Sequence, residues 1–241
     1  MAIRKDPMAI PNNESWRYAA PNAVTAANIA AGFGSICAAA NGRFEAAVYL
    51  LVLAVLLDMA DGRVARRFNA TSELGQQLDS FSDAISFCAA PAFLVQRALL
   101  TELEGIGVAV SITYVLAGVF RLARFNLESD AHGKAAKTCG VPTPIAAGYL
   151  MALALMRTQI SPQAAALVVL FFAGLMISRI PLPETNARGV LGFAFFIGFW
   201  NYMAVVFRPN WYTVGWWNVW NVVILLIARA QERKLRAEVE A

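Results

Sequence analysis

The sequence predicts an all-α integral membrane protein, a single helical bundle with about eight transmembrane helices, and three observations predict it. Hydrophobic residues fill 59% of the 241 positions and charged residues only 15%, where soluble domains carry about 25% charged residues. Apolar runs close to the ~20 residues needed to cross ~30 Å of hydrocarbon recur near 21–41, 45–61, 75–96, 105–125, 142–157, 162–179, 189–207 and 211–229. The basic residues are also partitioned between the two sets of flanks. Only Arg43, Arg97, Arg157 and Arg208 fall on one set, and all the others fall on the opposite one. Cytoplasmic flanks are enriched in Lys and Arg, so both termini are expected in the cytoplasm.

Taken in order, residues 1–20 form a polar cytoplasmic segment, with a short surface helix expected around "NNESWRYAA". They lack the apolar core and small-residue cleavage site of a signal peptide. Residues 21–229 make up a single transmembrane domain, whose longest polar connection is roughly 126–141. Glycines within the spans allow helices to approach closely. Trp211, Tyr212, Trp216, Trp217 and Trp220 mark the last span, the first of them as an interfacial aromatic belt. The charged tail 230–241 continues the last helix into water. The net charge of +4 follows from the bias in the basic flanks and calls for no nucleic acid. Cys37, Cys88 and Cys139 are scattered without metal-site spacing, which predicts neither a disulfide nor zinc. His132, the single histidine, is expected to be solvated in a polar loop.

The informative anomaly is "LLDMADGRVARR" (56–67), where two aspartates end an apolar run. Acids inside a span are costly and mark functional sites. Asp58 and Asp61 are three residues apart, about 60° around a helix, and Asp79 and Asp83 are four apart, about 40°. Each pair therefore shares one face. The second span ends, and the third begins, on the cytoplasmic side. A hairpin through 62–74 brings the four carboxylates to one depth. Four like charges in a low-dielectric pocket cannot all stay ionised unaided. Two divalent cations supply the missing charge, and oxygen-only ligands suit Mg²⁺ or Mn²⁺. Gly62, Ala65 and Gly75 leave room for a bulky ligand, and the planar guanidinium of Arg66 suits phosphate. The combination describes a pyrophosphate site for metal-assisted phosphoryl transfer. The competing readings are helix ends paired with Arg63, Arg66 and Arg67, or an ion path. A cation transporter predicts acids near the midplane and has no need of the small residues in register with them.

The pattern Asp58-x2-Asp61-Gly62-x2-Ala65-Arg66-x8-Gly75-x3-Asp79-x3-Asp83 resembles the signature of the CDP-alcohol phosphotransferases without a departure. That resemblance implies a helical membrane core with a dimetal site open to the cytoplasm, in a homodimer. It implies Asp58, Asp61 and Asp79 as metal ligands, Asp83 as ligand and general base, and Arg66 as a catalytic group. Gly62, Ala65, Arg66, Gly75 and Ser72 would border the CDP moiety. "PNAVTAAN" resembles the family's first-helix segment, in which Asn22 and Thr25 would approach the nucleotide.

Two further stretches bear on the acceptor. "FRLARFN" (120–126) and "CGVPTPIAAG" (139–148) resemble segments of the bacterial type of phosphatidylserine synthase within that family. Read without the resemblance, their arginines anchor a helix end and their prolines open a helix. The resemblance implies CDP-diacylglycerol and L-serine as substrates, with the site facing the cytoplasm from a bacterial inner membrane. An arginine suits an acceptor carboxylate, so Arg121 or Arg124 is expected to bind serine. Glycerol 3-phosphate and inositol phosphate are the alternative acceptors.

Overall fold

The computed structural model describes residues 15–68, 73–132, 139–180 and 190–240. The regular elements among them are helices: α1 (Ser15–Ala40), α2 (Phe44–Phe68), α3 (Glu73–Asp83), α4 (Ala90–Ala98), α5 (Glu104–His132), α6 (Thr143–Leu155), α7 (Pro162–Ile177), α8 (Val190–Phe207) and α9 (Trp211–Glu240). A π-helical turn, Ala84–Ala89, joins α3 to α4, and a 3₁₀ turn, Leu100–Leu103, leads into α5.

Four stretches among the described residues are long and apolar enough to cross a bilayer: Asn22–Ala40, Leu74–Ala98, Leu100–Glu128 and Trp211–Ala230. They coincide with the first, third, fourth and eighth expected spans. The fifth and sixth are realised as the shorter helices α6 and α7, of 13 and 16 residues, or about 20 and 24 Å at 1.5 Å per residue. Residues 15–20 belong to α1, which starts at Ser15 and runs on through Pro21; residues 1–14 lie outside the described residues.

Helices α1 and α2 form an antiparallel hairpin. Small residues on both (Ala31 and Ala39 on α1, Ala47 and Ala54 on α2) are buried in the bundle, as expected where helices approach closely in lipid. Gly42, at φ +73, makes the turn. Its N–H reaches the Ala39 carbonyl at 3.0 Å and the Arg43 N–H reaches Ala38 at 2.9 Å, the left-handed cap that glycine favours. At that end of the bundle Arg157, just beyond α6, pairs with Glu45 at 2.8 Å and lies over the Phe44 ring.

Pro91 explains the π turn. Lacking an N–H, it leaves the Phe87 carbonyl without its usual helical donor. The backbone instead closes a wider ring, with the Ala90 N–H bonded to Ile85. The hydroxyl of Tyr114, itself fully buried on α5, donates to the Phe87 carbonyl at 3.3 Å. One tyrosine thus satisfies the acceptor that the proline releases.

The α8–α9 pair is fastened to α6 by polar and aromatic contacts. Trp217 packs on Tyr149 and Tyr202. The Tyr149 hydroxyl donates to Asn218 at 2.8 Å and accepts from Asn221 at 3.2 Å.

Candidate active site

Helices α2 and α3 deliver the carboxylates at the bundle end opposite Gly42. The carboxylates of Asp58, Asp61 and Asp79 each offer an oxygen, and these oxygens lie within 4.8 Å of one another. Asp61 is buried, Asp58 half-buried and Asp79 exposed, so the cluster forms a wall that opens on one side. The Asp83 carboxyl lies within hydrogen-bonding reach of Asp58, and its Oδ1 is buried without a partner. A carboxylate-only set of this kind fits hard divalent cations, which prefer oxygen ligands. The crowding of four acids and the orphaned Asp83 oxygen are observations of this chain that favour a cation there.

Helix α1 supports the wall. The Thr25 hydroxyl donates to Asp61 Oδ2 at 3.3 Å. One turn on, the Asn28 carbonyl accepts from the Ser86 hydroxyl at 3.2 Å, and a Cβ at Gly32 would collide with the Ser86 hydroxyl. One helix therefore holds both the Asp61 side and the π turn that follows Asp83. Asn22, half-buried one turn before Thr25, lies toward the open end. Gly75 stands four residues before Asp79 on α3. Gly62, Ala65 and Arg66 fall in the last turns of α2, and their surroundings lie outside the described residues. Ser72 lies outside them altogether.

The polar residues of "FRLARFN" have three separate destinations. Arg121, 6% exposed, is an electrostatic neighbour of both Asp83 and Cys88, and its Nε has no partner. Arg124 is spent elsewhere. Its guanidinium donates to the carbonyls of Ile177 (2.9 Å), Cys139 (3.0 Å), Ser178 (3.2 Å) and Met176 (3.4 Å), tying the end of α7 to the segment that precedes α6. Asn126 donates to Ser80 on α3 at 2.9 Å. Of the two expected serine-binding arginines, the structure brings Arg121 to the carboxylate site and makes Arg124 a cap on a helix C-terminus.

Three buried polar residues here are not among those expected from the sequence. Asn28 is fully buried with both side-chain polar atoms unpartnered, and Ser82 Oγ and Thr143 Oγ1 are likewise buried and unpartnered. The spacing of Asn22, Thr25 and Asn28 on one helix face was a usable cue for the first. Thr143 was visible only as part of a proline-rich helix start.

Comparison with known proteins agrees with this geometry. The family profile for CDP-alcohol phosphatidyltransferase matches residues 18–180. Among curated proteins, the chain is similar to a CDP-diacylglycerol–serine O-phosphatidyltransferase of Bacillus subtilis, 32% identical over 164 residues, covering 68% of this chain and 89% of that protein. It is 39% identical over 130 residues to the Helicobacter pylori protein of the same name, covering 54% of each chain, so it aligns with about half of that relative's length. It is also 35% identical over 173 residues to an archaetidylserine synthase of Methanothermobacter thermautotrophicus, covering 71% of this chain and 72% of that one. The acid-bearing hairpin lies within the matched segment, and the chain belongs to the CDP-alcohol phosphatidyltransferase family.

Proposed function

We propose that the protein transfers the phosphatidyl group of CDP-diacylglycerol to the hydroxyl of L-serine, giving phosphatidylserine and CMP. The observation that carries this reading is the convergence of Asp58, Asp61 and Asp79 with Asp83 and the buried Arg121 at one end of the bundle. The names of the relatives support serine as acceptor.

Asp58, Asp61, Asp79 and Asp83 would hold two divalent cations, Mg²⁺ or Mn²⁺. When bound, the cations neutralise the pyrophosphate and the charge that builds up as CMP leaves. Asn22, Thr25, Gly62, Ala65, Arg66, Ser72 and Gly75 border the CDP moiety, with Thr25 also steadying Asp61 through its hydroxyl. Arg66 meets the phosphate charge. The unpartnered oxygen of Asp83 accepts the proton of the serine hydroxyl. The freed oxygen bonds to the phosphorus bearing diacylglycerol, and the bond from that phosphorus to CMP breaks. Arg121 takes the serine carboxylate. Serine separates its hydroxyl from its carboxylate by only two carbons, so the base and the guanidinium must be neighbours, as Asp83 and Arg121 are. Arg124 is the weaker candidate because its donors are already engaged.

The chain is further read as crossing the membrane eight times with both termini in the cytoplasm, as a homodimer in a bacterial inner membrane whose site faces the cytoplasm. The asymmetry of the basic flanks supports that orientation.

The test is CMP release by purified protein given CDP-diacylglycerol, Mg²⁺ or Mn²⁺, and a panel of alcohols. Release with L-serine is expected. Release with glycerol 3-phosphate or inositol phosphate but not serine would overturn the acceptor, and no release with any alcohol would overturn the enzyme reading.

A further inference from the structure

The π turn that follows Asp83 meets α5 and the start of α6 at a closely packed point. That point is Gly118 on α5, where an added Cβ would collide with Cys88 Sγ and come within 3.7 Å of the Thr143 methyl. Arg121 lies three residues further along the same helix, on the same face as Gly118, and is an electrostatic neighbour of Cys88. Cys88 thus connects the Gly118–Thr143 contact to Arg121, and both Cys88 and Arg121 are electrostatic neighbours of Asp83. Each of Arg121, Asp83 and Thr143 has a polar atom buried without a partner: Arg121 Nε, Asp83 Oδ1 and Thr143 Oγ1. Thr143 is completely buried, and an unpaired buried hydroxyl is destabilising unless something else pairs with it. It also occupies the first position of α6, behind an N-cap Pro142 that supplies no side-chain cap, where the helix dipole favours negative charge. The segment leading to it is held by Arg124 on the Cys139 carbonyl and by Gly140, whose φ of +76 and close approach to the Met176 carbonyl leave no room for a side chain.

We propose that Thr143 is a specificity-determining residue that donates its hydroxyl hydrogen bond to the carboxylate of the acceptor amino acid, opposite Arg121. This rests on the serine reading above and sharpens it. Two donors from different helices, α5 and α6, select an acceptor carrying a carboxylate two carbons from its hydroxyl. An acceptor lacking that carboxylate leaves both donors unsatisfied, which is how a site built to hydrogen-bond one group rejects an analogue without it.

The test uses the full-length purified enzyme with Thr143→Val, which keeps the shape and removes the hydroxyl, and Thr143→Ser, which keeps the hydroxyl. CMP release is measured with L-serine and with L-serinamide, whose carboxylate is replaced by an amide. Thr143→Val is expected to raise the KM for L-serine about tenfold or more, the scale of a hydrogen bond to a charged group. The KM for CDP-diacylglycerol should stay unchanged, and the preference for serine over serinamide should shrink by a similar factor. Thr143→Ser should restore both. A Thr143→Val enzyme with unchanged serine KM and unchanged preference would overturn the proposal, as would equal losses for the two acceptors, which mark a packing role. Wild-type enzyme that used glycerol 3-phosphate and ignored serine would overturn the serine reading itself, a result separable from any behaviour of the variants.

Discussion

Two corners of the same bundle end handle charge in opposite ways. At the α2–α3 corner, carboxylate oxygens of like charge sit within 4.8 Å of one another. At the α5–α7 corner, one cation is surrounded by neutral carbonyls, with Arg124 donating to Cys139, Met176, Ile177 and Ser178. The like charges of the first arrangement need relief from protons or a cation, whereas the second is complete within the chain. The difference separates a cluster of unbalanced charge from residues that hold the frame, and it runs between two arginines a single turn apart.

The largest effect tests the first corner. Asp79→Asn removes a charge from the most exposed member of the cluster, and turnover is expected to fall by at least about a hundredfold, with weakened Mn²⁺ binding by calorimetry and an unchanged helical signal. Chelation by EDTA should abolish activity reversibly. Activity that survives both would remove the cations from the mechanism.

Next in size is the contrast between the arginines. Arg121→Ala should raise the KM for serine by about ten- to a hundredfold while thermal stability in detergent stays close to wild type. Arg124→Ala should do the reverse. Loss of a charged donor to several helix-end carbonyls should cost about 2–3 kcal/mol of stability, with the serine KM moved less. If the two variants exchanged these behaviours, the assignment of roles would be inverted.

The smallest effect falls where the frame touches the site. Thr25→Val deletes the hydrogen bond to Asp61 and keeps the side-chain volume, so a loss of activity of about three- to tenfold is expected, together with a raised Mn²⁺ requirement. An unchanged metal titration would make Thr25 a packing residue only.

Much of the site was legible in sequence because it is written in helical periodicity. The spacings of Asp58 with Asp61 and of Asp79 with Asp83 carry their own geometry, and a short hairpin leaves few ways to combine them. The long apolar helices were legible for a similar reason: composition and length decide them locally. The division of labour between Arg121 and Arg124 was not, since it depends on where the ends of α7 and α3 arrive from far along the chain. Thr143 was hidden for the same reason, its neighbours being Cys88 and Gly118 on two other helices. Nor did the apolar pattern distinguish full-length spans from the shorter α6 and α7, because hydropathy measures what a segment is made of and not where its turns begin.

The π turn after Asp83 has a consequence for how such a helix can change over evolutionary time. A π turn is a helix accommodating one residue too many, so the stretch 84–89 behaves as a tolerated insertion. Loss of a single residue there would let the ladder relax to an ordinary α-helix and would rotate everything before it by about 100° relative to α4. Leu94 and Val95 would keep their places in the core, while Asp79 and Asp83 would swing away from Asp58 and Asp61. The surplus residue is the phase setting that lets one continuous helix face the core at one end and the headgroup chemistry at the other.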